Sequence, residues 1–181
     1  MKLIKTKFAD AFLIEPNVFG DHRGFFMESY NEELFRKNNL NHTFIQDNHS
    51  LSQPAGTLRG LHYQLNPKAQ TKLVRATRGA IYDVIVDIRK NSPTYGVWQG
   101  FILTDANKRQ LLVPKGFAHG FCTLVENTEV QYKVDEYYSP ENDRGILWND
   151  PSLGIDWPVS DPVLSEKDTK HPLLNDAENN F

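Results

Sequence analysis

Thr57-Leu58-Arg59-Gly60-Leu61-His62-Tyr63-Gln64 is the stretch from which the fold can be read. β-Branched and aromatic residues, with a bulky apolar residue at intervals, mark it as a strand. Turn signals bound it at Pro54-Ala55-Gly56 and at Asn66-Pro67. Two-residue alternation places His62 and Gln64 on one face and Arg59 and Tyr63 on the other. Gly60 lies between Arg59 and His62, and a glycine inside a strand often marks a bulge or a close approach of two backbones. A bulge there would turn both polar side chains into one cavity.

Short strands at even spacing continue on both sides of this stretch. On the N-terminal side a strand centres on Phe12-Leu13-Ile14 and stops at Pro16. Gly20-Asp21-His22-Arg23-Gly24 reads as a loop, and Phe25 to Tyr30 as a strand in which Phe26, Glu28 and Tyr30 share a face. The spacing predicts one short helix over Asn31 to Lys37, with Asn31 as N-cap and acidic residues in its first turn. Thr43 to Ser50 is strand-like with a polar far end. On the C-terminal side, Gln70 to Thr77 and Ala80 to Ile88 read as a hairpin about Arg78-Gly79. Val97 to Thr104 and Gln110 to Val113 flank a turn, Pro114 to Gly120 reads as a loop, and Phe121 to Leu124 and Glu129 to Tyr138 complete the set. Beyond Pro140 the chain is irregular, with a helix start expected at Ser165-Glu166-Lys167-Asp168, where Ser165 and Asp168 stand at capping-box spacing. This pattern predicts an all-β sandwich or barrel of jelly-roll type with a few short helices.

A chain of 181 residues is most simply one domain. Its net charge of −3 gives no support for nucleic-acid or polyanionic-membrane binding. No apolar run approaches a membrane span and no signal-peptide core is present, so the chain reads as cytoplasmic. Cys122 stands alone in an apolar run, which excludes an internal disulfide and reads as a buried small residue. Trp98, Trp148 and Trp157 read as packing residues.

His62, Lys72, His119 and Tyr132 each sit in or beside a strand that should line a core. Singly, each reads as a satisfied or solvent-facing residue. Together with Arg23, Arg59 and Glu28 they point to a polar pocket, because buried charges are costly unless they converge and pair.

The segment from Gly56 through His62-Tyr63-Gln64, followed by Pro114-Lys115-Gly116 and His119, resembles the two motifs of the cupin superfamily. Metal-binding cupins use a His-x-His pair, a nearby Glu and a final His. Here Gln64 replaces the second His, and Lys68 and Ala69 occupy the range of the Glu. The resemblance thus implies a cupin jelly roll, a double-stranded β-helix, without a metal. The likeness is closer still at Arg59-Gly60-Leu61-His62-Tyr63-Gln64, Val18 to Glu28, Gln46-Asp47-Asn48-His49-Ser50, Pro114 to Phe121 and Trp148-Asn149-Asp150-Pro151. With these motifs the chain resembles the dTDP-4-dehydrorhamnose 3,5-epimerase family from about Ile14 to Leu174.

That resemblance implies inversion of C3 and C5 of dTDP-4-dehydro-6-deoxy-D-glucose through enolates delocalised onto the C4 ketone, with no cofactor. By position, His62 matches the base, Asp168 its carboxylate partner, Tyr132 the acid on the opposite face, and Lys72 the cation near the enolate oxygen. Arg23, Arg59 and Lys167 match contacts to the nucleotide-sugar. Glu28, Gln46, Asp47, Asn48 and His119 match the surroundings of thymidine and sugar. Tyr138 matches an aromatic that stacks on thymine. A nucleotide contact falls near Asp143, where relatives carry Glu. The resemblance also implies homodimers in which the N-terminal part of one chain adds to the other's sheet, and the strand before Pro16 is the natural edge to cover. The same base and acid would serve an enzyme that inverts only one carbon of a related sugar. An inert sugar-binding cupin and a metal-dependent oxygenase are further alternatives, disfavoured by His62 with Tyr132 and by Gln64 respectively.

Overall fold

Alternating apolar and polar residues make nearly all of the regular structure of this chain strand, and the breakers between them set the corners. The computed structural model describes residues 1–181. In chain order the elements are β1 (Lys2–Lys5), β2 (Phe12–Glu15), β3 (Val18–Asp21), β4 (Gly24–Met27), α1 (Glu32–Lys37), β5 (Gln46–Ser52), β6 (Leu58–Gln64), β7 (Lys72–Arg78), β8 (Ala80–Asp87), β9 (Trp98–Thr104), β10 (Gln110–Val113), β11 (Phe117–Thr123), β12 (Thr128–Val134) and β13 (Asp143–Gly145). A six-stranded sheet runs β1-β2-β10-β7-β12-β5 and a five-stranded sheet runs β13-β6-β11-β8-β9, both with antiparallel pairing. This is the expected all-β jelly roll.

Between the sheets, a cluster of 14 buried residues includes Leu13, Val74, Ile81, Ile85, Leu103, Leu111, Phe121 and Val130. Each contributes through the inward half of its strand's alternation. A second cluster (Leu61, Tyr63, Val84, Val86, Ile88, Ile146) covers the outer face of the five-stranded sheet with the C-terminal segment. Helix α1 covers the other outer face. Asn31 caps it by accepting from the Leu34 N–H, and Phe35 is buried with Ile14, Leu73 and Leu112.

Several expectations change. Strands β7 and β8 do not form a hairpin. They lie in different sheets, as do β9 and β10, and β11 and β12. A turn signal fixes a reversal, but the tertiary packing decides whether the next strand pairs with the last or crosses to the other sheet. Gly79 makes one such corner at φ 74°, where a Cβ would come within 2.5 Å of the Thr128 hydroxyl. Strand β11 begins at Phe117, so His119 is a strand residue and not a loop residue. Gly20 to Gly24 is not an open loop: β3 and β4 pair as a hairpin, ending at Met27 and leaving Glu28 exposed outside any strand. At the N-terminal end of the six-stranded sheet the edge strand is β1, because β2 is paired on both sides; β5 is the opposite edge. Ser165 to Asp168 is a turn without a helix, although the Asp168 N–H donates to the Ser165 hydroxyl as in a cap; the Asp168 carboxylate accepts from that hydroxyl and not from the Ser165 N–H.

Candidate active site

The bulge anticipated at Gly60 is present, and it builds the site. Between β6 and β11, His119 pairs with His62 and Phe121 with Arg59, so three steps on one strand match two on the other. Gly60 has φ 133°, and a Cβ on it would lie 2.6 Å from the Gly120 Cα and 2.9 Å from the His119 carbonyl oxygen. Gly120 is equally tight, at 2.8 Å from the Arg59 carbonyl oxygen. Two side-chain-free residues therefore let the backbones touch, and the extra residue brings Arg59 and His62 onto one cavity, against simple alternation.

That cavity, of roughly 380 Å³, opens between the sheets and is lined by Arg59, His62, Lys72, His119, Tyr132, Lys167 and Asp168, together with Ser50, Leu58, Phe121 and the Val163-Leu164-Ser165 segment. His62 stands on the five-stranded sheet and Tyr132 on the six-stranded sheet, so the two face the cavity from opposite sides. The C-terminal segment closes it. Leu58 N–H donates to the Val163 carbonyl and Val163 N–H to the Gly56 carbonyl, which straps this segment beside β6. The strap delivers Asp168, whose Oδ1 lies 2.5 Å from His62 Nε2. A carboxylate only accepts, so the proton sits on Nε2 and Nδ1 keeps its lone pair.

Burial sets the proton affinities. Burial pulls His62 below the ordinary imidazole value, and Lys72 and Lys167 add to this while Asp168 opposes it. Burial alone would raise Asp168, but the His171 ring beside it and the hydrogen bonds from His62 and Ser165 more than reverse this, holding the group well below the usual carboxylate range. Burial raises the Tyr132 phenol, with Arg59 opposing. Burial brings Lys72 down to about 8, partly offset by Asp143 and Asp83. The result is a neutral imidazole, a protonated phenol and a cation whose charge is poorly solvated.

The remaining residues with expected roles stand elsewhere. Gln46 and Asn48 share the inward half of β5 with Ser50 and are bonded to each other, Nε2 to Oδ1, at 2.9 Å. Asp47 points the other way, exposed and paired with Lys133 at 2.8 Å. Asp143 accepts from the Tyr138 hydroxyl at 3.0 Å and pairs with Lys167, fixing both at the rim. Tyr137 and Tyr138 are exposed. Arg23 pairs with Asp21 on the β3–β4 hairpin, and Glu28 follows it, so neither lines this cavity within the chain. Residues that the sequence reading passed over include Asp83, whose Oδ1 meets His119 Nε2 at 2.6 Å. Its signal was available: an acid on the inward half of the apolar run Ala80 to Asp87. His62, Asp168 and His171 bring their donor atoms within 4.8 Å of one another. However, the His62–Asp168 separation of 2.5 Å is that of a hydrogen bond. Two ligands of one zinc at about 2.0–2.2 Å each would stand farther apart than that.

The chain is similar to known proteins along almost its whole length. A family profile described as dTDP-4-dehydrorhamnose 3,5-epimerase matches residues 5–176. The dTDP-4-dehydrorhamnose 3,5-epimerase of Shigella flexneri is 53% identical over 179 residues, covering 98% of each chain. A crystal structure of the Bacillus anthracis enzyme with TDP and PPi bound superposes with a TM-score of 0.94 at 62% identity, covering 95% of this chain and 98% of that one. The Legionella pneumophila enzyme, in complex with dTDP-4-keto-L-rhamnose, has a TM-score of 0.92 at 46% identity, covering 96% and 93%. With a cavity that joins a buried imidazole–carboxylate pair to a facing phenol, and with likeness along almost its whole length, the chain belongs to the dTDP-4-dehydrorhamnose 3,5-epimerase family.

Proposed function

We infer that this chain is a dTDP-4-dehydrorhamnose 3,5-epimerase, converting dTDP-4-dehydro-6-deoxy-D-glucose to dTDP-4-dehydro-L-rhamnose. The observation that carries the reading is the placement of His62 and Tyr132 on opposite sheets of one cavity, with Lys72 on its wall. The carbons to be inverted flank the C4 ketone. Neutral His62 takes the C3 proton on Nδ1, and the electron pair moves onto the C4 oxygen as an enolate. Lys72 stabilises that oxygen, where a poorly solvated charge acts most strongly. Asp168 holds the imidazole in the required tautomer and stabilises the imidazolium. Tyr132 returns a proton from the opposite face, which inverts the carbon; the imidazolium of His62 then gives its proton to solvent and the Tyr132 phenolate takes one from solvent, so that the sequence can repeat at C5. The chemistry needs no cofactor.

Arg59 and Lys167 suit the diphosphate, Arg59 because a planar guanidinium can bond two oxygens at once. Gln46, Asn48 and Tyr138 lead from the cavity towards the rim and suit the thymidine end, while His119 sits beside His62 and suits the sugar. Arg23 and Glu28 are assigned to the site of a second copy in a homodimer. The hairpin that carries Arg23 leaves Phe19, Phe25 and Phe26 exposed, Phe26 by 66%, which a partner surface would cover. Sedimentation of the purified protein tests this; a monomer at micromolar concentration would sink the dimer. We place the enzyme in the cytoplasm as one domain, consistent with its single, buried cysteine.

The decisive experiment for function is NMR of the dTDP-keto sugar with enzyme in deuterium oxide. Solvent deuterium should enter at both C3 and C5, with the L-rhamno product formed. Exchange at one carbon only would reassign the chain to a single-carbon epimerase.

A further inference from the structure

Behind the His62–Asp168 pair, on the side away from the cavity's centre, lies a third ring whose purpose neither the fold nor the reaction described so far accounts for. His171 is 9% exposed at its side chain, and its Nε2 stands 3.6 Å from Asp168 Oδ1. That nitrogen is buried and has no hydrogen-bond partner. The ring sits edge-on to His62, centroids 5.4 Å apart and planes at 75°.

The seat of this ring is built. Gly145 on β13 pairs with His62 on β6. A Cβ on Gly145 would lie 2.4 Å from His171 Cε1 and Nε2. Gly145 therefore leaves the slot that His171 fills, next to the strand position of His62. The Leu147 N–H donates to the Pro172 carbonyl and holds the following residue in place. A buried polar nitrogen without a partner is disfavoured unless something compensates. Here the unpartnered nitrogen stands just beyond bonding distance of the carboxylate on which His62 depends.

We propose that His171 is a positioning residue for the reaction: its Nε2–H directs the Asp168 carboxylate at His62, and its ring keeps the His62 imidazole from rotating. This rests on the reading of His62 as the base. By sharing Oδ1, His171 also withdraws part of the carboxylate's charge from His62 and so lowers the affinity of His62 for a proton. The other charged or titratable groups facing His62 are Asp168 and Lys167 from the C-terminal segment, Lys72 from β7, Arg59 from its own strand, His119 from the adjoining β11, and Tyr132 across the cavity.

The test uses His171→Phe, which keeps a ring but no nitrogen, and His171→Gln, which keeps an N–H. His171→Phe should lower kcat about tenfold with KM within about twofold, the size seen when an outer hydrogen-bond partner is lost. Its acid limb in the kcat–pH profile should move up by about half a pH unit. His171→Gln should restore the limb and most of the rate. Wild-type rate and limb in His171→Phe would overturn the proposal, as would equal losses in both variants with an unmoved limb. Should His171→Phe not fold, nitrogen-15 NMR of the wild-type histidines decides alone: a proton on His171 Nε2 is expected, and a bare Nε2 across the working pH range overturns the proposal. His62→Ala, run alongside, tests the base separately. If it still exchanges the C3 proton, the reading of His62 fails; if it does not, while His171→Phe behaves as wild type, only the positioning role fails.

Discussion

Two His–Asp pairs stand at the cavity, one lining it with both members and the other reaching it through His119 alone, and in the proposed mechanism their contrast separates chemistry from support. His62 and Asp168 meet at 2.5 Å, and His119 and Asp83 at 2.6 Å, in both cases Nε2 to Oδ1. The two histidines are even cross-strand partners. Their surroundings differ. Asp83 comes from β8, the strand beside β11, as a diagonal neighbour on the inward face, and is 0% exposed with Oδ2 lacking any partner. Asp168 comes from a strapped turn more than a hundred residues along the chain from His62, and Ser165 Oγ donates to its second oxygen at 2.8 Å. One carboxylate is fully supplied with donors and can support a histidine that gains and loses a proton. The other belongs to the sheet, and its pair is rigid by construction. In the proposed mechanism the same two residue types thus serve as a working pair and as a fixed one, according to which elements bring them together.

The largest expected effect tests that division directly. His62→Ala should lower turnover by about 10³-fold or more and abolish deuterium exchange at C3, the scale of losing a general base together with its proton path. His119→Ala should cost only about 10- to 100-fold, because it removes a contact and not the base. Comparable losses in the two variants would erase the distinction.

The aspartates should separate on a different axis. Asp168→Ala should lower kcat about 100-fold while the thermal midpoint stays within a few degrees. Asp83→Ala, which strands the buried His119 nitrogen, should cost about 1–3 kcal/mol of stability, read by denaturant unfolding. If Asp168→Ala unfolds the protein and Asp83→Ala only slows it, the assignment is reversed.

The pH profile sharpens the account of the working pair. His62 must be neutral to take a proton, and burial lowers its affinity, so activity should hold through neutral pH and fall only below the ordinary imidazole value of about 6.5. Lys72 must be charged, and burial brings it to about 8, so activity should fall above that pH. The loss at pH 9 should be about tenfold. A profile flat to pH 10 would remove the charge of Lys72 from the mechanism. The smallest effect on chemistry is expected from Gly60→Ala. It should cost about 1–3 kcal/mol through strain at positive φ. It should also loosen the register of His62 and His119 together, seen as broadened histidine NMR signals; an unperturbed, equally stable variant would contradict the bulge as the organiser of the site.

Much of this was legible in the residues themselves. Strand β6, the helix cap at Asn31 and the buried Cys122 follow from local rules, since side-chain period, capping geometry and apolar context are properties of a few adjacent residues. The bulge at Gly60 was legible because a glycine between two polar residues on a strand has few other uses. The sheet switches after β7, β9 and β11 were not legible, because a tight turn has the same residues whether it closes a hairpin or turns a corner. The signal for Asp83, an acid on the inward half of an apolar strand, was present in the residues, but its partner was not legible there. His171 lies in an irregular tail with no periodicity to place it.

By itself the sequence determined which segments become strands, which faces are apolar, and, through near-identity to known motifs, the family to which the chain belongs. Only the tertiary structure decided that Asp168 returns to His62, that Tyr132 faces it from the other sheet, and that Arg23 and Glu28 stand apart from the cavity. The reason is physical. Local propensity acts over a few residues, whereas a site assembled from β6, β7, β11, β12 and a C-terminal strap depends on which strands pair, and burial then sets the proton affinities of whatever that pairing encloses.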